Sequence, residues 1–162
     1  MAEIILSEVS HSDPQLRTLI GLLDEELLTR YPKSGIHGLD FDDPQIAAVR
    51  FFLITVEGEP AACGAFRPLD QRSAEIKRMF VRKEYRKQGL AGRILSAIES
   101  AAMQADYRIL RLETGPNQPE SLHLYRKFGF DEIEPWGEYI GDPYSICFEK
   151  QLAPSLDVKK PS

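Results

Sequence analysis

Glu75-Ile76-Lys77-Arg78-Met79-Phe80-Val81 runs into Arg82-Lys83-Glu84-Tyr85-Arg86-Lys87-Gln88-Gly89-Leu90-Ala91-Gly92, and this stretch decides the reading of the 162-residue chain. Its first part reads as a strand, continuous with Ser73 and ending at Val81. A basic turn with small residues follows, and a helix opens near Gly89. Leu90, Ile94, Leu95, Ile98, Ala101 and Ala102 then fall on one helical face. Strand, basic turn and helix start together make an anion-binding arrangement. The first N–H groups of a helix have no internal partner, the helix dipole adds partial positive charge, and a glycine lets a phosphate reach the main chain. The chain contains no G-x-x-x-x-G-K-[ST] loop for a nucleoside triphosphate and no G-x-G-x-x-G turn for a dinucleotide.

Charge agrees with a small anionic ligand. Residues 77–93 hold seven basic side chains (Lys77, Arg78, Arg82, Lys83, Arg86, Lys87, Arg93) against Glu84, a local +6 in a chain of net charge −5. A nucleic-acid binder rewards a basic surface overall, and this chain is acidic, so no nucleic-acid partner is expected. Uncharged apolar runs such as residues 51–56 are far short of the ~20 residues that span a bilayer, so no membrane association is expected. The two cysteines, Cys63 and Cys147, sit in apolar runs. With no secretory signal at the start, they read as reduced, buried thiols of a cytoplasmic protein. His11, His37 and His123 are scattered, so no metal site is expected.

The flanking sequence supplies the remaining elements. Residues 3–9 read as a strand, and Asp13-Pro14 supplies a cap and a first helical position for a helix over 14–30 with Leu16, Leu19, Ile20, Leu23 and Leu27 on one face. Residues 31–43 form a long irregular loop, and Asp43-Pro44 opens a short helix. Strands over 50–56 and 61–69 flank a turn at 57–60. A strand over 108–114 ends at Gly115-Pro116, a helix follows from Pro119 to a stop at Gly129, and strands over 130–133 and 144–152 complete the sheet. Hairpins mixed with helical crossovers predict an α+β (mixed α/β) fold: a mixed, mostly antiparallel sheet of six to seven strands with helices on both faces. Residues 1–152 are expected to form one domain and residues 153–162 a disordered tail.

The form [Q/R]-x-x-G-x-[G/A], here Arg86-Lys87-Gln88-Gly89-Leu90-Ala91, stands between the strand 75–81 and Leu124-Tyr125-Arg126-Lys127-Phe128-Gly129-Phe130. In that order, and covering about residues 3–152, these elements resemble the GNAT superfamily of acyl-CoA-dependent N-acyltransferases. The resemblance implies acetyl-CoA as co-substrate. It implies that the main chain of Met79, Phe80 and Val81 pairs with the pantetheine arm, with a strand N–H near Val81 polarising the thioester carbonyl. The pyrophosphate would rest on the amides of Lys87, Gln88, Gly89, Leu90 and Ala91, with Arg86 shaping the loop. Either Asn117 or Gln118 would touch the coenzyme.

Catalytic candidates follow from the same resemblance. Tyr125 stands where the family places a phenol near the coenzyme sulfur, able to protonate a departing thiolate. Glu75 precedes Arg86 by eleven residues, the spacing of the catalytic strand glutamate in related histone acetyltransferases. It is the first candidate for the base, the alternative being an ion pair with Lys77; Glu113, beside the strand break, and a water are the reserves. The expected reaction is direct acetyl transfer to a primary amine of a small molecule or protein. Alternatives keep the fold but use a longer acyl-CoA, or sense the coenzyme without turnover. The acceptor is expected between residues 31–43 and 136–143, whose acidic and aromatic side chains suit a cationic amine. A homodimer is left open.

Overall fold

A computed structural model describes residues 2–152, and the tail expected over 153–162 lies outside them. Seven strands form one sheet: β1 (Ile4–Val9), β2 (Arg50–Val56), β3 (Glu59–Pro68), β4 (Ser73–Val81), β5 (Ile109–Thr114), β6 (Asp131–Ile133) and β7 (Ile146–Gln151). Their order is β1-β2-β3-β4-β5-β7-β6, with β4 and β5 parallel and every other neighbouring pair antiparallel. Three α-helices cover it: α1 (Pro14–Arg30), α2 (Leu90–Gln104) and α3 (Pro119–Lys127). The mixed α+β sheet with helices on both faces agrees with the expectation.

Local chemistry explains the boundaries. The Asp13 carboxylate accepts the N–H groups of Gln15 and Leu16, and Pro14 occupies the first turn, where its missing N–H costs nothing. The short helix expected at Asp43-Pro44 is a 3-10 turn over Pro44–Ala48, capped by the Asp43 side chain. The hairpin turn is tighter than expected. Glu57 and Gly58 alone form it, both at positive φ (52° and 80°), which matches the twist of the flanking strands, so β3 already begins at Glu59.

Alternation along β2 divides the core in two. Phe51 and Leu53 face α1, packing with Leu16, Leu19, Ile20 and Leu23. Phe52, Ile54 and Val56 face the other way, into the cluster built with Ile94, Leu95, Ile98 and Tyr125 of α2 and α3. Each such fully buried aliphatic side chain contributes roughly 1.5–3 kcal/mol of transfer free energy, so both helical layers are held firmly to the sheet.

One irregularity in β4 sets up everything that follows. Lys77 pairs with Ala65 and Phe80 with Cys63, so Arg78 and Met79 together oppose the single residue Gly64. This is a β-bulge, and Arg78 adopts φ +58° within it. The ladder between β4 and β5 runs from Ser73 and Ile109 to Ile76 and Leu112 and then stops. β5 continues to Thr114, paired only with β7. The sheet therefore opens between its two parallel strands, and beyond Ile76 the edge of β4 facing β5 has no strand paired to it among the described residues.

Candidate active site

β4 leads at its end into the turn before α2. Lys87 and Gly89 both have positive φ (64° and 79°), and Gly89, the residue before the helix, offers no side-chain cap. The first main-chain bond of α2 is Arg93 N–H to the Gly89 carbonyl, at 3.2 Å, and the preceding bond is Arg86 N–H to Lys83. The amides of Lys87, Gln88, Gly89, Leu90 and Ala91 therefore lie between these bonds with no main-chain partner among the described residues, at a helix start suited to an anion. Arg86 does not reach into this cradle. Its Nε donates to the Val81 carbonyl and its terminal nitrogen to Glu26, both at 2.8 Å, so it ties the end of β4 and the turn to α1.

The run of seven basic residues is not one surface. Lys77 and Arg78 are buried within β4, Arg78 paired with Asp24 at 2.8 Å. Arg82 pairs with Glu84, and Arg86 with Glu26. Strand alternation and the bulge send neighbours in sequence to different environments, leaving Lys83, Lys87 and Arg93 exposed near the cradle.

Beyond the end of the ladder between β4 and β5 is a cavity between Lys77, Arg78 and Met79 of β4 and Glu113 and Thr114 of β5, with Gly115 just past the strand. Residues 31–43 and 136–143 meet over it. The His37 imidazole lies between Glu138 and Asp142, Tyr31 packs edge-on to Tyr144, and Gly35 lies against the Tyr144 ring. Burial disfavours a charge on His37, but its bond to Asp142 and the nearby carboxylates outweigh this and raise its pKa. Of the acidic side chains in the two loops, Glu138 and Asp142 stand at His37 on the cavity, whereas Asp40, Asp42 and Asp43 are not among its lining residues; Asp40 accepts the Asp42 N–H and Asp43 caps the 3-10 turn.

Glu75 and Glu113 occupy contrasting positions in this cavity. Glu75 is fully buried, and both its oxygens are taken. Arg67, its cross-strand neighbour, approaches one with two nitrogens at 3.0 and 2.8 Å, and the Tyr139 hydroxyl donates to the other. Lys77, the partner expected from sequence, is more distant, at 3.9 Å; Arg67 has displaced it because the register places Arg67 directly opposite. Glu113 has one fixed donor, the Ser145 hydroxyl at 2.9 Å. Burial pushes its carboxyl up to about 7, against the opposing pull of that bond and of the His37 and Lys77 charges. It is thus poised to accept a proton near neutral pH.

Tyr125 is buried on α3 against Phe130 and Phe148 and lines the same cavity. Its hydroxyl makes no hydrogen bond among the described residues. Burial, aided by the Glu113 charge, raises its pKa, so the phenol keeps its proton until a strong base arrives. Gln118 lines the cavity, whereas the Asn117 side chain turns away and donates to the Arg30 carbonyl at 3.0 Å. The sequence singled out neither Arg67 nor Ser145. Only the strand register brings each to its glutamate. Tyr139 counted only as an aromatic wall, and its bond to Glu75 spans 64 residues of chain.

Residues 20–130 match the family model described as Acetyltransferase (GNAT) family. An IAA acetyltransferase of Azospirillum brasilense is 34% identical over 94% of this chain and all of its own length. An N-acetyltransferase of Bacillus subtilis is 32% identical over 84% of this chain and 93% of its own. Among solved structures, an acyl-CoA N-acyltransferase of Klebsiella pneumoniae superposes with a TM-score of 0.82 at 29% identity, covering 93% of this chain and 98% of that one. A GNAT acetyltransferase of Elizabethkingia anophelis, solved with acetyl-CoA bound, shares the fold with a TM-score of 0.68 at 21% identity over 92% and 98% of the two chains. A sheet opened between parallel strands, an uncapped amide cradle and a family match across most of the chain lead to one assignment: the chain belongs to the GNAT family of acetyltransferases and is an acyltransferase.

Proposed function

We propose that this protein is an N-acetyltransferase that moves an acetyl group from acetyl-CoA directly to a primary amine, with Glu113 as the base and Tyr125 as the acid. The reading rests chiefly on one observation. One strand carries both features: β4 ends at the turn that forms the amide cradle of residues 87–91, and its stretch Lys77–Met79, beyond the ladder to β5, lines a cavity that also holds Glu113 and Tyr125. The pyrophosphate would lie on those amides and the pantetheine arm along the main chain of Met79, Phe80 and Val81. Gln118, which lines the cavity, is the coenzyme contact, and Asn117 instead anchors the end of α1.

In the reaction an ammonium acceptor gives a proton to Glu113, directly or through a water, and the free amine attacks the thioester carbonyl. The C–N bond forms, the C–S bond breaks, and the departing sulfur takes the Tyr125 proton; the second proton of the acceptor nitrogen restores the phenol, and Glu113 releases its proton to solvent, leaving amide, free coenzyme A and one proton. Glu75, whose oxygens are occupied by Arg67 and Tyr139, holds the cavity wall in place. An acyl-enzyme route has no support from the thiols. Cys63 is buried with its pKa pushed up to about 12, and burial pushes Cys147 up to about 11, so neither supplies a thiolate near neutral pH. Release of free coenzyme A from acetyl-CoA, measured against a panel of amines, tests the proposal. Amine-dependent release with an N-acetylated product supports it; coenzyme binding without turnover of any amine refutes it.

A further inference from the structure

Among the described residues, the acceptor side of the cavity holds a cation, Lys77, and a carboxylate, Glu113, that make no hydrogen bond to a group of opposite charge. Its charged side chains sort into pairs by distance. Arg67 meets Glu75 at 2.8 Å and Glu138 at 3.6 Å, Arg78 meets Asp24 at 2.8 Å, and His37 lies between Asp142 and Glu138. Lys77 is left over. It is buried, its nitrogen donates to two uncharged acceptors, the His37 carbonyl at 3.1 Å and the Tyr139 hydroxyl at 3.2 Å, and the nearest carboxylate, 3.9 Å away, already belongs to Arg67. An ammonium has three N–H groups, so one of the three on Lys77 is unspent. Glu113 is the other remainder, bonded only to the neutral Ser145 hydroxyl.

Both line the same cavity, and they are not in ion-pair contact with each other. A buried charge without its own counter-ion is costly unless a ligand completes it. From this pairing we infer that the acceptor is a zwitterion, a free amino acid or close analogue, whose ammonium faces Glu113 and whose carboxylate is held by Lys77. A simple amine would satisfy Glu113 and leave Lys77 incomplete. The inference rests on the N-acetyltransferase reading above and narrows its acceptor class.

The test compares free amino acids with the amides of the same amino acids, using wild-type protein, acetyl-CoA and release of coenzyme A. The amide lacks the carboxylate and carries more free amine at the same pH, so intrinsic reactivity favours the amide. For at least one side chain, kcat/KM is expected to be roughly 10- to 100-fold higher for the free acid, the size of one charge-assisted contact. In Lys77→Met, shown to be folded by circular dichroism, that ratio should fall toward one, chiefly through KM. Amides accepted as well as or better than the acids would overturn the zwitterion inference while leaving the N-acetyltransferase reading intact. Turnover of no amine of either kind would refute both. If Lys77→Met does not fold, the wild-type comparison alone decides.

Discussion

Gly115 is the residue at which a single methyl group should do the most structural damage around the cavity. A Cβ built there would stand 2.0 Å from the Tyr31 hydroxyl oxygen and 2.3 Å from the ring carbon that bears it, so alanine cannot enter without moving the ring. Tyr31 is buried, packs edge-on to Tyr144, accepts the Asn117 N–H at 2.9 Å and donates to Gln118 at 3.4 Å. Gly115→Ala therefore overpacks a filled space, at a cost of about 1–3 kcal/mol, and breaks one good and one long hydrogen bond, about 1–2 kcal/mol more. A loss of roughly 2–5 kcal/mol in a domain of this size lowers Tm by roughly 5–15 °C. Thermal denaturation by circular dichroism measures it, and the double variant with Tyr31→Phe isolates the cause. Removing the hydroxyl removes the closest contact, so the double variant should lose less than the sum of the two single losses. A Gly115→Ala protein melting within 1–2 °C of wild type would refute the claim that Tyr31 locks the 31–43 loop onto the end of β5.

Other expectations concern the chemistry. Gly89→Asp places a negative charge and a side chain at φ +79° beside the amide cradle, so calorimetric titration should find coenzyme A affinity reduced at least tenfold in a folded protein. Tyr125→Phe keeps the ring and its packing and should leave coenzyme binding intact while lowering kcat by roughly 10²–10⁴-fold; an unchanged kcat would show that another group protonates the sulfur. Neither cysteine should react with a thiol reagent in the native protein at pH 7, and mass spectrometry after incubation with acetyl-CoA alone should find no acetyl group on either.

The sequence made some of this legible and hid the rest for physical reasons. Elements set by neighbouring residues could be read: the Asp13-Pro14 start of α1, the apolar face of α2 and the strand-turn-helix run from Glu75 to Gly92 depend on short-range capping and periodicity. Glu75 and Glu113 were both marked as candidates, but their difference is a matter of register. Arg67 faces Glu75 because a hairpin brings β3 back along β4, and Ser145, just before β7, reaches Glu113 because β7 pairs with β5. The bulge at Arg78 left no sign either, since arginine at positive φ is held there by the strands around it and has no local preference for it. The basic run misled for the same reason: a count along the chain cannot tell a buried Lys77 from an exposed Lys87.

The pH dependence of kcat/KM in wild type, Glu113→Gln and Glu75→Gln tests the account most directly. Burial raises the Glu113 carboxyl to about 7, and only its deprotonated form accepts a proton, so wild-type kcat/KM should fall as pH drops through about 7. Glu113→Gln should lose roughly 10²–10⁴-fold at neutral pH and recover only at higher pH, where the amine is already free. Glu75→Gln should keep the wild-type shape of the profile, because that carboxylate is engaged by Arg67 and Tyr139 and does not take the proton. A Glu113→Gln profile that superimposes on wild type, with Glu75→Gln losing the limb near pH 7, would contradict the assignment and return the base to Glu75.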